Sequence, residues 1–212
     1  YQLVKAKAKE PAVLSWAGVY AGGFDMDTGN FVPENEKIPP SVPETRAQRA
    51  VNWKCAWMQT VNTSSDRSLY EIQAALERHA CTIGSFNPDR RPRRDFQNGE
   101  DIEASKRYSM QTPMFLRRSD KPQTLAELHK SEKMTFHPWI QNAKKGSYFP
   151  SPHKPTILEL KDGCLHDIHR CKPPYLQEGD VIWFSVRVAV VLNSNNWWTE
   201  MTPVEIIRVG TL

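Results

Sequence analysis

The chain has 212 residues, 39% of them hydrophobic and 25% charged, and carries a formal net charge of +4. This composition excludes a chain disordered throughout and suits a single soluble domain over residues 1–212. No window approaches the ~18 consecutive apolar residues of a membrane span, and no basic segment followed by an apolar core marks a secretory leader. The mild positive balance permits a polyanionic partner without demanding one.

The apolar run "PAVLSWAGVYAGG" leads into "DMDTGN", whose Asp-Thr-Gly-Asn order is turn chemistry. It loosely resembles a calcium loop, but no acidic residue closes it at the twelfth position, so it is read as a turn. Four prolines between Pro33 and Pro43 predict an extended connector. From Thr45 to Val61 the apolar residues, among them Ala47, Ala50, Val51, Trp57, Met58 and Val61, fall near helical spacing and predict a helix. "SSDRSLYEIQAALERHA" predicts a second one. Ser65 or Asp66 would cap it, and Leu69, Ile72, Ala75, Leu76 and Ala80 would form its apolar stripe.

Residues 84–101 lack periodicity and hold Arg90, Arg91, Arg93 and Arg94 within five positions, which predicts a mobile basic loop. "SMQTPMFLRRSDKP" contains a short strand, "TLAELHKSEKM" from Thr124 a short helix, and "FHPWIQNAKKGSYFPSPHKP" a proline-broken connector. "TILELKDGCLHDI" then reads as a strand ending in an Asp-Gly turn.

The clearest β pattern is the hairpin over 179–210. The even positions Ile182, Phe184, Val186, Val188, Val190 and Leu192 are all apolar, which makes them the buried face of a strand. Asn193–Asn196 forms the turn, and "WWTEMTPVEIIRV" returns as a second strand interrupted near Pro203. The odd face carries Trp183 and Arg187. A face that only meets water seldom needs both, so they read as a contact platform; the competing reading lays the Ser65–Ala80 helix over Trp183. Trp197 and Trp198 are equally open to a binding role.

No nucleophile elbow, HExxH, Walker loop or dinucleotide fingerprint is present, and the chain is read as non-catalytic. The four cysteines are read as reduced thiols of an intracellular protein. "CLHDIHRC" offers Cys164, His166, His169 and Cys171 as zinc ligands, but zinc knuckles usually come as pairs separated by a longer stretch. The preferred reading is a polar strand and loop with no cofactor, and a zinc-dependent or zinc-stabilised domain is an alternative. Elsewhere, basic residues interleave with rings. Arg90, Arg91, Arg93 and Arg94 adjoin Phe86 and Phe96; Lys144 and Lys145 lie between Trp139 and Tyr148. Phosphate neutralisation with base stacking is how single strands are held.

The order from Tyr175 to Gly210 resembles the end of OB-fold single-stranded-DNA-binding proteins of phages and mobile elements. There a Gly-containing turn leads into a long strand, a polar turn and a closing strand, matched here by Gly179, Val181–Leu192, Asn193–Asn196 and Val204–Val209. The sequence departs from that pattern at Trp197-Trp198, where Gly is more usual. The resemblance implies an α+β fold, an OB-like antiparallel β-barrel with one or two packed helices and long loops. It also implies single-stranded nucleic acid, chiefly DNA, as partner. Trp53, Trp139 and Trp183 are the stacking candidates, and Arg90, Arg91, Arg93, Arg94, Lys144, Lys145 and Arg187 the phosphate contacts. The remaining alternative is a capsid-like or scaffold β-protein that self-associates through its aromatic edges as a homo-oligomer.

Overall fold

The computed structural model describes residues 2–3, 13–49, 54–94, 106–117, 134–143 and 147–212. The helix expected from Thr124, the side chains of Trp53, Lys144 and Lys145, and the loop beyond Arg94 lie outside the described residues. The chain is mostly β. Its principal sheet contains β1 (Gln2–Leu3), β2 (Val13–Gly23), β3 (Ala56–Asn62), β4 (Arg107–Pro113), β7 (Thr156–Lys161), β8 (Cys164–Asp167), β9 (Asp180–Leu192) and β10 (Trp197–Thr211). The order is β4-β3-β2-β9-β10-β7-β8, with β1 also paired to β9. No pairing joins β4 to β8 among the described residues, so the sheet is open there. Contacts divide the chain into two compact units, and β2, β3 and β4 run from one into the other.

The first unit comprises Tyr1–Ala21, Thr60–Met110 and Ile157–Leu212. β9 and β10 form its long hairpin, in register from Trp197 opposite Leu192 to Thr211 opposite Asp180. β10 bulges twice, after Pro203 and after Arg208. The first bulge is where the ring of Pro203 removes a ladder donor, as its sequence position predicts. Asn193 closes the turn: its side-chain oxygen accepts from the backbone of Asn195 and Asn196 at 2.8 and 2.7 Å. Ile182, Phe184, Val186 and Leu192 are buried as the alternation requires, but Val188 and Val190 are only half-buried, and the odd residues Ser185 and Val191 are buried as well. In β7 and β8 the expected Asp-Gly turn is met by positive φ at both Asp162 (51°) and Gly163 (75°), the backbone that a two-residue hairpin needs.

The α1 helix (Ser68–Thr82) forms in the expected region, but its N-cap is Arg67, which makes no side-chain cap bond, and Asp66 one residue before it accepts from the backbone of Ser68 at 2.9 Å. Its buried face differs from the apolar stripe. Leu69, Tyr70, Gln73, Glu77 and Ala80 are buried, whereas Ile72 and Leu76 are only half-buried. Polar side chains can sit inward here because they satisfy one another. Tyr108 on β4 donates to Gln73 at 2.5 Å, and Gln73 donates to Glu77 at 2.9 Å. Burial pushes the Tyr108 phenol well above its ordinary value, so it remains a donor. Leu69 and Ala80 of the expected stripe are buried, while Ile72 and Leu76 give way to the next positions, Gln73 and Glu77.

The second unit comprises Gly22–Gln59 and Gln111–Thr156. The helix expected over Thr45–Val61 is absent; a 3-10 turn (Glu44–Arg46) and β3 occupy the described part. The β-branched and aromatic content of "AWMQTV" and its place in the sheet outweigh the helical spacing. Asp25 builds the predicted turn, accepting from Asp27 and Thr28 backbone at 2.8 Å each. Gly29 has φ 56°, and a Cβ there would lie 2.5 Å from the Ala56 carbonyl oxygen, so no larger residue fits. β5 (Phe115–Arg117), the short α2 helix (Pro138–Asn142) and β6 (Tyr148–Pro150) arise where a connector was expected. They close over Phe31, Cys55, Trp57, Met114, Phe115, Phe136 and Ile140, a core built from residues distant in sequence.

Candidate nucleic-acid interface

The alternation of β9 gives its odd residues a common face, and the register names their neighbours. Trp183 lies between Ala17 of β2 and Ile207 of β10; Ser185 lies between Ser15 and Glu205. Arg187 lies between Val13 and Thr202, and Val191 stands opposite Trp198. Trp183 is 39% exposed and Val13 is 55% exposed, while Ser15 and Ala17 are exposed beside them. The helix cover considered for Trp183 is therefore not present. At its C-terminal end α1 packs on the even side instead, where Ala80 joins Phe86, Leu192 and Trp197.

The two adjacent tryptophans separate by the same alternation. Trp197 pairs with Leu192, faces inward and is 6% exposed, with its ring edge-on to Phe86 at 5.2 Å. It is core, and a contact role for it is withdrawn. Trp198 falls on the Trp183 face and is half-buried. The guanidinium of Arg94 lies over its ring, 5.5 Å from the centroid, and its indole N–H donates to Glu200 at 3.0 Å. Trp183 and Trp198 mark two ends of one face, roughly 26 Å apart at about 3.3 Å per strand residue. Arg187 stands midway. Its side chain is half-buried, and its Nε is buried with no hydrogen-bond partner among the described residues. Glu200 and Glu205 are on the β10 side of the same face, which confines its cationic character to the β9 side and the Arg94 end.

The described part of the arginine loop is tied down at many points. Asn87 takes positive φ and bonds the backbone of Arg91 in both directions at 2.8 Å. Pro92 and Arg94 exchange backbone hydrogen bonds with Trp197 at 3.1 and 2.7 Å. Arg91 spans to the Asn193 carbonyl and pairs with Asp89, both at 2.5 Å. Arg93 clasps the buried Glu77 with two N–H groups, at 2.6 and 3.0 Å. Arg91 and Arg93 are thus engaged within the protein, whereas Arg90 is exposed and Arg94 covers an indole. Sequence proximity had grouped four arginines that the fold divides into two pairs. The Arg94–Trp198 contact spans more than a hundred positions, and no local pattern signals it.

In the second unit Trp139 is half-buried against the aromatic core, with the His137 ring edge-on at 4.9 Å. Nearby in sequence, Arg117 lies over the Tyr148 ring at 5.7 Å, a cation and ring that had not been singled out as a pair. Cys164 and His166 are exposed on β8, and among the described residues no three His, Cys, Asp or Glu side chains converge to hold a metal ion. All four cysteines are free thiols. Among the described residues no helix is long and apolar enough to cross a membrane.

The sequence matches no protein-family model and no curated protein. Among solved structures the chain is similar to gp2.5, a single-stranded DNA-binding protein encoded by bacteriophage T7. The identity is 9% and the TM-score 0.43, over 94% of this chain and 92% of that one. It is also similar to a C-terminally truncated single-stranded DNA-binding protein of bacteriophage Enc34, at 9% identity and TM-score 0.43, over 100% and 96% of the two chains. Likeness at this level carries no function across. What this chain can bind must follow from its own side chains.

Proposed function

We propose that the protein binds single-stranded nucleic acid, DNA foremost, without catalysis, along the odd face of β9. The observation that supports this reading is the placing of Trp183 and Arg187 on β9 and of Trp198, under Arg94, on β10 along one face of the hairpin, where Trp183 is exposed and Arg187 and Trp198 are half-buried. Bases stack on exposed rings whatever their sequence, and arginines between the rings meet the phosphates that separate them. Arg90, Arg94 and Arg187 are the phosphate contacts in this reading, while Arg91 and Arg93 hold the loop. Trp53, Trp139, Lys144 and Lys145 extend the proposal to the second unit. The OB-type curvature belongs to it as well: two bulges in β10 would bend the sheet towards a concave binding surface.

Fluorescence anisotropy with a labelled oligothymidine tests the reading. Binding is expected at low salt, and three phosphate contacts give a log–log salt slope of about −2, at ~0.7 per contact for single strands. Absence of binding at low salt would overturn it. Oligouridine in parallel separates DNA from RNA preference.

A further inference from the structure

Glu77 is an odd residue to find on the inner face of α1. It is 8% exposed, and an apolar side chain of similar volume at such a position often gives equal or greater stability than a buried ion pair. Its surroundings are specific. One oxygen accepts from Gln73, which is itself fixed by Tyr108, and both oxygens accept from Arg93. Arg93 in turn donates to the carbonyl of Arg94 at 3.2 Å and bridges by its backbone to Trp197. The next residue in the chain is the cation over Trp198. A continuous path of hydrogen bonds therefore runs from the helix core to the backbone carbonyl of Arg94, the residue whose guanidinium lies over Trp198.

We propose that Glu77 is a positioning residue for nucleic-acid binding: by clasping Arg93 it sets Arg94 over Trp198 and so builds one end of the binding face. This inference rests on the function proposed above. Glu77 touches no part of that face and acts only through Arg93. A long arginine held over an indole loses rotamer freedom, and a fixed backbone at Arg93 removes much of that cost before ligand arrives. The buried polar chain is then explained by where it puts its neighbour.

The sign of one substitution separates this role from general electrostatics. Glu77→Gln removes a negative charge near a site for polyanions, which by field alone should tighten binding. Positioning predicts the reverse. With oligothymidine at low salt, Glu77→Gln is expected to bind roughly 5- to 10-fold more weakly than the parent protein, close to the loss from Arg94→Ala. The double variant should be no weaker than Arg94→Ala alone, because both changes remove one contact. The salt slope should become shallower by about 0.7 in each, the share of a single phosphate contact. The near-ultraviolet dichroism change caused by Arg94→Ala should recur in Glu77→Gln without any nucleic acid present.

Should Glu77→Gln fold poorly, Glu77→Leu with Arg93→Met replaces the pair with packed apolar side chains, and the same weakening is expected. Binding of either variant at or above the parent's affinity would overturn the inference, as would losses that multiply in the double variant. If the parent protein binds no oligonucleotide, the proposed function falls first, and the dichroism comparison still decides whether Glu77 places Arg94.

Discussion

Arg208→Ala is expected to lower folding stability by about 3–5 kcal/mol, the largest effect of any single side chain considered. Arg208 is 4% exposed in the interior of β10, and its guanidinium meets two carboxylates and two backbone carbonyls. One guanidinium nitrogen bonds the Glu159 carboxylate on β7 and the Pro173 carbonyl, the latter at 2.9 Å. The other meets the Tyr175 carbonyl at 2.9 Å and lies 3.6 Å from the carboxylate of Asp180, which is 1% exposed. Truncation would leave a buried carboxylate and two carbonyls without their cation, and desolvated anions are costly when unpaired. Three stretches of chain lose their common tie: β7, the Pro173–Tyr175 segment and the start of β9. Urea denaturation of the parent and variant measures the difference. A loss below 1 kcal/mol would mean that water reaches these groups and the cluster is not a true interior.

Acid should act on the same cluster. The hydrogen bond from Arg208, assisted by one from Cys171, holds the Glu159 carboxyl below the ordinary glutamate range. Because the folded-state value is the lower one, this contribution is complete above the unfolded-state value and fades as pH falls through the folded one. The stability gap between the parent and Arg208→Ala is therefore expected to narrow on acidification below that range. Glu159 is partly solvated, so the acid effect is smaller than the truncation effect.

Trp183→Ala is expected to weaken oligonucleotide binding by about 1–3 kcal/mol, the value of one base–aromatic stack. Folding stability should change far less than in Trp197→Ala, which removes a ring from the Phe86, Ala80 and Leu192 cluster. Quenching of intrinsic fluorescence on binding should shrink in Trp183→Ala as well, since a stacked indole is the one that reports the ligand. An affinity equal to the parent's would take Trp183 out of the site and leave β9 as architecture alone.

Much of this hairpin was legible because alternation is a local rule. Twelve residues of period two placed Ile182 through Leu192 on one face and Trp183 with Arg187 on the other before any partner strand was known. The Asp162-Gly163 turn was legible for the same reason, being set by the positive φ its own residues tolerate, whereas the Asn193–Asn196 turn falls where expected but is closed by the Asn193 side chain without positive φ. Where the sequence misled, a distant partner decided. Thr45–Val61 has helical spacing, but the sheet claims Ala56–Asn62. Gln73 and Glu77 are polar, but Tyr108 and Arg93 make them interior. The charge of the arginine loop was visible, and its division was not, because Glu77, Asp89 and Asn193 select which guanidinium groups are engaged.

The neighbouring indoles at the start of β10 give the Asn193–Asn196 turn a role in recognition that its own side chains would not suggest. Trp197 faces the core and Trp198 the opposite side of the sheet, so the length of that turn fixes which is which. Deleting a single asparagine would slide β10 by one position and exchange their environments. Such a deletion is expected to abolish binding and broaden the thermal transition together, whereas a change of side chain at the exposed Ser194 or Asn195 should do neither. Turn length then keeps the core indole and the outer indole each on its own side of the sheet.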